Sequence, residues 1–270
     1  MIGLLQARAT SAPRAAAMWH HARGQWLGWR WEDILADVSA LAGALHARGI
    51  GAGGRVILAS EPRPEALITV LACDWLGAAP VAAGAPFAVA ETAEDADALR
   101  AAGHGGAVVL IEPLPGAIGL AALIAEAPAP PPPPAGSAAA GQPPLHGFCQ
   151  ASLLDPAEIA ANILPLLRDG GTLSFPERPG TAAADLAVVR PERFSATAAQ
   201  WEALREDLGR RVPPGRFGWP FAARRLRRQL GLDRARLLIA HGGTLAPETA
   251  GYFAGIGLTL TEIATDAVPR

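Results

Sequence analysis

The chain has 270 residues, half of them hydrophobic and 18% charged, with a formal net charge of −2. That is enough for one large or two modest domains with a sizeable core, and it gives no ground for a nucleic-acid partner. All 23 basic side chains are arginine, which excludes a Schiff-base lysine and a Walker-type phosphate loop, and two cysteines, Cys73 and Cys149, exclude a disulfide framework or a Cys-x-x-Cys metal knuckle.

Residues 1–17 carry Arg8 and Arg14 and no apolar core, so they do not read as a secretory signal. Trp31, Ile34, Leu35, Val38, Leu41 and Leu45 recur at helical spacing, with Gly49 placed to end the helix. Residues 55–60 (RVILAS) predict a buried strand, 64–75 a helix with Pro at its first turn, and 80–83 a weak strand. Residues 92–102 predict a helix capped by Thr92, 107–111 (AVVLI) a strand, and 116–127 a helix. The apolar stretch 66–90 is broken by Asp74, Gly77, Pro80 and Pro86, so no membrane span is expected and the cytoplasm is the default location.

Residues 127–144 carry eight prolines, five of them consecutive. Proline has no N–H and a fixed φ, so this run predicts an extended or disordered surface spacer outside the sheets. The alternation then resumes. Helices are expected over 155–167 (kinked or ended at Pro165), 181–189, 197–211, 220–230 and 247–254. Strands are expected over 171–175, 193–196, 236–240 and 258–263. Strand–helix alternation predicts an α/β fold of mainly parallel sheets flanked by helices, with 56–59, 107–111, 171–175 and 236–240 as central strands.

These elements carry a resemblance. Residues 28–81 (GWRWEDILADVSALAGALHARGIGAGGRVILASEPRPEALITVLACDWLGAAPV) resemble the opening of the AMP-binding, long-chain acyl-CoA synthetase family. That opening has a W-T-W-x-E helix, an L-G-V-x-x-G-D-R-V turn into a strand, an N-x-P-E-W helix start and an L-G-A-V-x-V strand, in this order. Residues 92–95 (TAED), 162–175, 188–204 (VVRPERFSATAAQWEAL) and 226–260 resemble later family segments, again in order. The resemblance implies the large N-terminal α/β domain of an acyl-CoA synthetase. Three segments follow from it: 1–126 as a first α/β subdomain, 127–144 as a linker in place of the phosphate loop, and 145–270 as a second subdomain.

Departures are equally specific. The family's T-S-G-T-T-G-x-P-K-G loop would fall where the proline run lies, and proline has no N–H to offer a phosphate. In place of the family's Y-G-x-T-E this chain reads Thr261, Glu262, Ile263, Ala264, Thr265, Asp266, Ala267, and only Glu262 matches a family glutamate, two residues before that motif. The family's two lysines have no counterpart. The end at Arg270 is read as omitting the C-terminal lid domain, hence a truncated and diverged relative.

Other constellations favour plain readings. Gly49-x-Gly51-x-x-Gly54 follows a helix and precedes a strand, the wrong context for a dinucleotide site. His20, His21, His46, His104 and His146 lack ligand spacing, and Ser152 and Ser174 lack a Gly-x-Ser-x-Gly setting. Trp26, Trp29 and Trp31 predict a hairpin packed on the core. Arg224, Arg225, Arg227 and Arg228 form a dense basic stripe, a solvated face or a contact for an acidic partner, a phosphate or a lipid head group.

The sequence therefore predicts a non-catalytic acyl-CoA synthetase-like binding or regulatory module with no catalytic residue, metal or cofactor. The alternative is an ATP-dependent fatty acid or carboxylate–CoA ligase working with a complementary subunit, which would need ATP, Mg and CoA. The resemblance makes His241, Gly242, Gly243, Thr244 and Glu262 candidates for a remnant acyl or adenine pocket. A homodimer or a complementary synthetase subunit is the expected partner, covering a partly apolar face around Leu258, Leu260 and Ile263.

Overall fold

The computed structural model describes residues 1–133, 141–211 and 219–263. The chain divides into two compact units, one of Met1–Trp19, Gly28–Ala140 and Ser152–Leu154, the other of His20–Leu27, Gly141–Ala151 and Asp155–Arg270. Each is an α/β unit built mainly on parallel strands, as the alternation predicts.

The chain opens with α1 (Ile2–Ser11) and a hairpin of β1 (Ala16–Ala22) and β2 (Gln25–Arg30). The hairpin turns at Arg23 and Gly24, both at positive φ, the backbone shape that matches strand twist. The first unit continues with α2 (Trp31–His46), β3 (Arg55–Ala59), α3 (Pro64–Leu76), β4 (Ala79–Val81), β5 (Phe87–Ala90), α4 (Ala93–Ala101), β6 (Ala107–Leu110) and α5 (Leu120–Ala125). Its sheet has the order β4-β3-β5-β6, all pairs parallel. Trp31, Ile34, Val38, Leu41 and Leu45 of α2 are buried, as their spacing predicts. Thr92 caps α4, its Oγ1 accepting from the Asp95 N–H while the Asp95 carboxylate accepts from the Thr92 N–H.

Two expectations need correction. The strand at 107–110 is an edge of its sheet, not central, because β5 intervenes between it and β3. β5 (FAVA) is four residues between Pro86 and Glu91, too short for a periodicity to show. The proline run is also more than a spacer. Over its described part, to residue 133, it lies outside the sheets but docks on the unit's helices: the Trp75 indole N–H of α3 donates to the Pro131 carbonyl at 2.9 Å. Residues 134–140 of the run lie outside the described residues.

The second unit adds β7 (His146–Phe148), α6 (Pro156–Glu158), a π-helical turn (Ile159–Ile163), α7 (Leu164–Asp169), β8 (Thr172–Phe175), α8 (Ala182–Val189), β9 (Arg193–Thr197), α9 (Ala198–Arg211), α10 (Trp219–Gln229), β10 (Leu237–His241), α11 (Pro247–Gly255) and β11 (Leu260–Glu262). Among the described residues its sheet runs β11-β10-β9-β7-β8-β1-β2, with parallel pairing from β11 to β8. Pro165 does not end the helix begun at Pro156. The Leu164 N–H reaches back to the Ile159 carbonyl, and this wider turn carries the helix into α7 and past a proline that has no N–H to give.

Gly43 of α2 faces the proline run so closely that a Cβ would overlap the Pro128 carbonyl. Gly43→Ala should therefore lower stability by about 1–3 kcal/mol, as overpacking does. Gly51→Ala, at a site with nothing within 4 Å of the new Cβ, should stay within about 0.5 kcal/mol. Urea unfolding of the two variants beside the parent checks both.

Candidate functional site

The two faces of the second sheet are sorted by strand parity. In β9, Phe194 and Ala196 are in register with Leu238 and Ala240 of β10, and all four join the apolar core with Phe148 of β7. Successive side chains of a strand point to opposite faces, so Ser195 and His241 turn the other way. There they meet the helix that begins at Pro156.

That second face holds a closed polar cluster at the carboxyl ends of β7, β9 and β10. Glu158 and Asn162 sit one turn apart, both fully buried, and the Asn162 amide donates to Glu158 Oε1 at 2.6 Å and to Ser195 Oγ at 2.8 Å. Ser195 Oγ donates to Glu158 Oε2 at 2.8 Å. The His241 ring, also fully buried, lies between two carboxylates, 3.4 Å from Asp155 and 3.7 Å from Glu158. The Asp155 carboxylate also caps its own helix by accepting from the Ala157 N–H. Burial raises the Glu158 pKa above its ordinary value, and hydrogen bonds with Cys149, Asn162 and Ser195 and the nearby His241 oppose it without cancelling it. Burial, then Glu158, holds the Cys149 thiol well up, and burial with Asp74 pushes Cys73 up to about 12. Neither thiol is a nucleophile at neutral pH.

The opposite face opens into a cavity of about 410 Å³. Leu186 of α8, Phe194 and Ala196 of β9, Trp201 and Leu208 of α9 and Leu226 of α10 form its walls. Trp201 is held there by its indole N–H, which donates to the Ile239 carbonyl at 3.0 Å, and by edge-on contacts with Phe194 and Phe253. Gln200 and Gln229 supply polar groups at the cavity wall.

The sequence-predicted site residues lie around the end of β10 and differ in exposure. His241 ends β10 under the polar cluster. Gly242 and Gly243 follow at φ 67° and 154°, conformations that favour glycine, and they turn the chain outward so that both glycines and Thr244 are exposed. The two glycines pack beside Thr197 and Ala198, at the start of the helix whose Gln200 and Trp201 line the cavity. Glu262 pairs in register with Ala240, the residue before His241, and is exposed on the edge strand. The replaced motif residues from Ala264 onward lie outside the described residues. Leu258 is buried and Leu260 and Ile263 half-buried, so the apolar face expected there is largely packed away. Of the arginine stripe, Arg227 is tied down, donating to the Ile256 carbonyl at 3.0 Å.

Sequence reasoning missed the Glu158–Asn162–Ser195 cluster, whose members are 33 and 37 residues apart across the fold. The only local signal was Glu158 and Asn162 at helical i,i+4 spacing. It also missed a knot in the first unit, where buried Arg63 holds Glu65, Glu91 and Glu112 at 2.9–3.0 Å beside the carboxyl ends of β3, β5 and β6. Among the described residues no group of three or more His, Cys, Asp or Glu side chains is set to hold a metal ion.

A raised carboxyl pKa has a signed consequence. The native state keeps a proton on Glu158 that the unfolded chain has already released, so this stabilisation is complete below the ordinary value of 4.5 and is lost as pH rises through the raised one. Glu158→Gln keeps the shape and removes the titration. The stability of the parent relative to this variant should decline from pH 4 to pH 8 in urea melts. A difference that grows with pH would mean an ionised Glu158 paired with His241.

Comparison with known proteins agrees with this architecture. Residues 5–129 match the family described as AMP-binding enzyme. A stretch of 61 residues is 38% identical to the medium/long-chain-fatty-acid–[acyl-carrier-protein] ligase FadD10 of Mycobacterium tuberculosis, covering 23% of this chain and 11% of that protein. The adenylation domain of a carboxylate reductase from Mycobacterium chelonae superposes with a TM-score of 0.75 at 15% identity, over 97% of this chain and 56% of its own. The inhibitor-bound N-terminal domain of FACL13 from Mycobacterium tuberculosis gives 0.69 at 16%, over 96% and 74%. An acyl-CoA synthetase of Brucella canis gives 0.70 at 17%, and this chain spans 56% of it. Residues 5–129 are thus similar to the AMP-binding enzyme family, and the chain has the fold of the N-terminal domain of adenylate-forming enzymes.

Proposed function

We propose that this chain is a binding or regulatory module of the AMP-binding fold that takes an apolar, acyl-type ligand and does not itself adenylate carboxylates. The cavity under Trp201 carries the reading: it is within the size range of small-molecule sites and walled by aliphatic and aromatic side chains with a few polar groups. The polar end of the ligand is assigned to the exposed turn at Gly242, Gly243 and Thr244, next to Gln200. His241 supports that turn from beneath. Glu262, exposed on its edge strand, is left out of this contact set.

The chemistry of activation lacks its parts. A triphosphate needs donors where charge develops, yet the chain has no lysine, and the proline-rich segment 127–133 has few N–H groups to give. The residues present do not fit ATP and Mg. One observation favours a second reading, an ATP-dependent acid–CoA ligase working with a complementary subunit: the similarity to FadD10, which by its description acts on medium and long-chain fatty acids.

Two assays separate the readings. Pyrophosphate–ATP exchange with short to long carboxylic acids should not rise above a no-enzyme blank, and exchange above it would replace the first reading by the second. A fluorescent long-chain fatty acid should bind saturably, and Ala183→Trp, at an exposed lining position on α8, should weaken it at least about tenfold by filling space the ligand needs. Equal binding by parent and variant would remove the cavity from the proposal.

A further inference from the structure

The outer face of α10 is at odds with a simple solvated helix. Ala223 and Leu226 are buried, and Arg227 is tied to the Ile256 carbonyl. Phe221, Arg224, Arg225 and Arg228 fall at i, i+3, i+4 and i+7, on one exposed stripe. Phe221 is 83% exposed, the most of any exposed large apolar side chain among the described residues. No carboxylate among them pairs with Arg224 or Arg225, and Arg228 only approaches Asp233, at 4.0 Å. Asp233 is already held by Arg190, and Arg190 lines a basic hollow with Arg234 and Arg236, where Glu192 offsets one charge. Asp233 and Glu192 thus offset Arg190 and Arg236, which leaves Arg224, Arg225 and Arg234 without a carboxylate partner among the described residues.

From this we infer that α10 docks the protein on an anionic lipid surface, with Phe221 entering the headgroup–acyl boundary and Arg224, Arg225 and Arg228 meeting lipid phosphates. A stripe of cations beside one exposed aromatic is the pattern of helices that lie in a membrane interface. No helix among the described residues is long and apolar enough to cross a membrane, so the contact is peripheral. An acidic protein partner would meet the same charges, but a stable protein interface is built on an apolar core of several side chains, and among the described residues the stripe offers one. A bilayer accepts a single phenyl ring without a shaped pocket. The choice of lipid also rests in part on the proposed ligand, because Leu226 on the inner side of α10 and Leu230 just after the helix line the cavity that would receive an acyl chain. The helix then stands between the cavity and a membrane that stores such molecules.

Co-sedimentation with vesicles of phosphatidylcholine alone, and of phosphatidylcholine with 30% phosphatidylglycerol, tests the contact. The full chain should bind the anionic vesicles, not the neutral ones, and binding should fall steeply between low and 0.5 M salt. Arg224→Gln and Arg225→Gln should each lower it about fivefold, and Phe221→Ala should lower it while leaving the salt dependence unchanged. All three positions are exposed, so thermal melting should match the parent. Fluorescent fatty acid binding by these variants should also be unchanged, which separates failure of the membrane contact from failure of the ligand reading. Equal sedimentation with both vesicle types, no sedimentation, or retention by a soluble polyglutamate resin without vesicle binding would overturn the inference, the last in favour of an acidic protein partner.

Discussion

The in-register parallel pairing of β9 with β10 is the constraint from which the second unit takes its organisation. Leu238 opposes Phe194 and Ala240 opposes Ala196, so one face is committed to aliphatic and aromatic packing. Parity then commits Ser195 and His241 to the other. A slip of one residue would place Ser195 and the imidazole against Trp201, and would set Phe194 against Glu158. Neither exchange is tolerable, because buried polar groups need partners and the apolar face would lose its core.

The polar face is the price of passing a proline. Pro165 removes one helical hydrogen bond, and the chain answers with a π turn over Ile159–Ile163. That turn follows directly on Glu158 and contains Asn162, which reach Ser195 together. Gly147 completes the fit, since a Cβ there would lie 3.2 Å from the Asn162 amide oxygen and 3.0 Å from Leu173. Glu158, Asn162, Ser195 and His241 of this cluster are buried, and the hydrogen bonds among Glu158, Asn162 and Ser195 hold it together at the end of β10, where the glycine turn departs.

The apolar face is the one that remains open. Trp201 is fixed by a backbone carbonyl and two aromatic edges, so the cavity beside it has a rigid wall. α10 walls the cavity with Leu226 and presents cations and a phenyl ring outward. One helix therefore serves two surfaces, and the period of 3.6 residues is what keeps them apart.

The sequence by itself determined the elements and their class. Helical spacing located α2, the Thr92 cap located the start of α4, and short apolar runs located β3, β6, β8 and β10, because these signals are local. The absence of lysine from these 270 residues also needs no structure to be seen. The tertiary structure alone decided what those elements bring together. β5 and β7 are too short to announce themselves, and the edge position of β6 depends on β5 lying between it and β3. The docking of the proline run depends on Gly43 and Trp75, distant in sequence. The Glu158–Asn162–Ser195–His241 cluster and the cavity behind β9 join residues separated by tens of positions, and only strand register sets them on one face or the other. Local propensity carries no information about register, so the site could be read only once the sheet was in place.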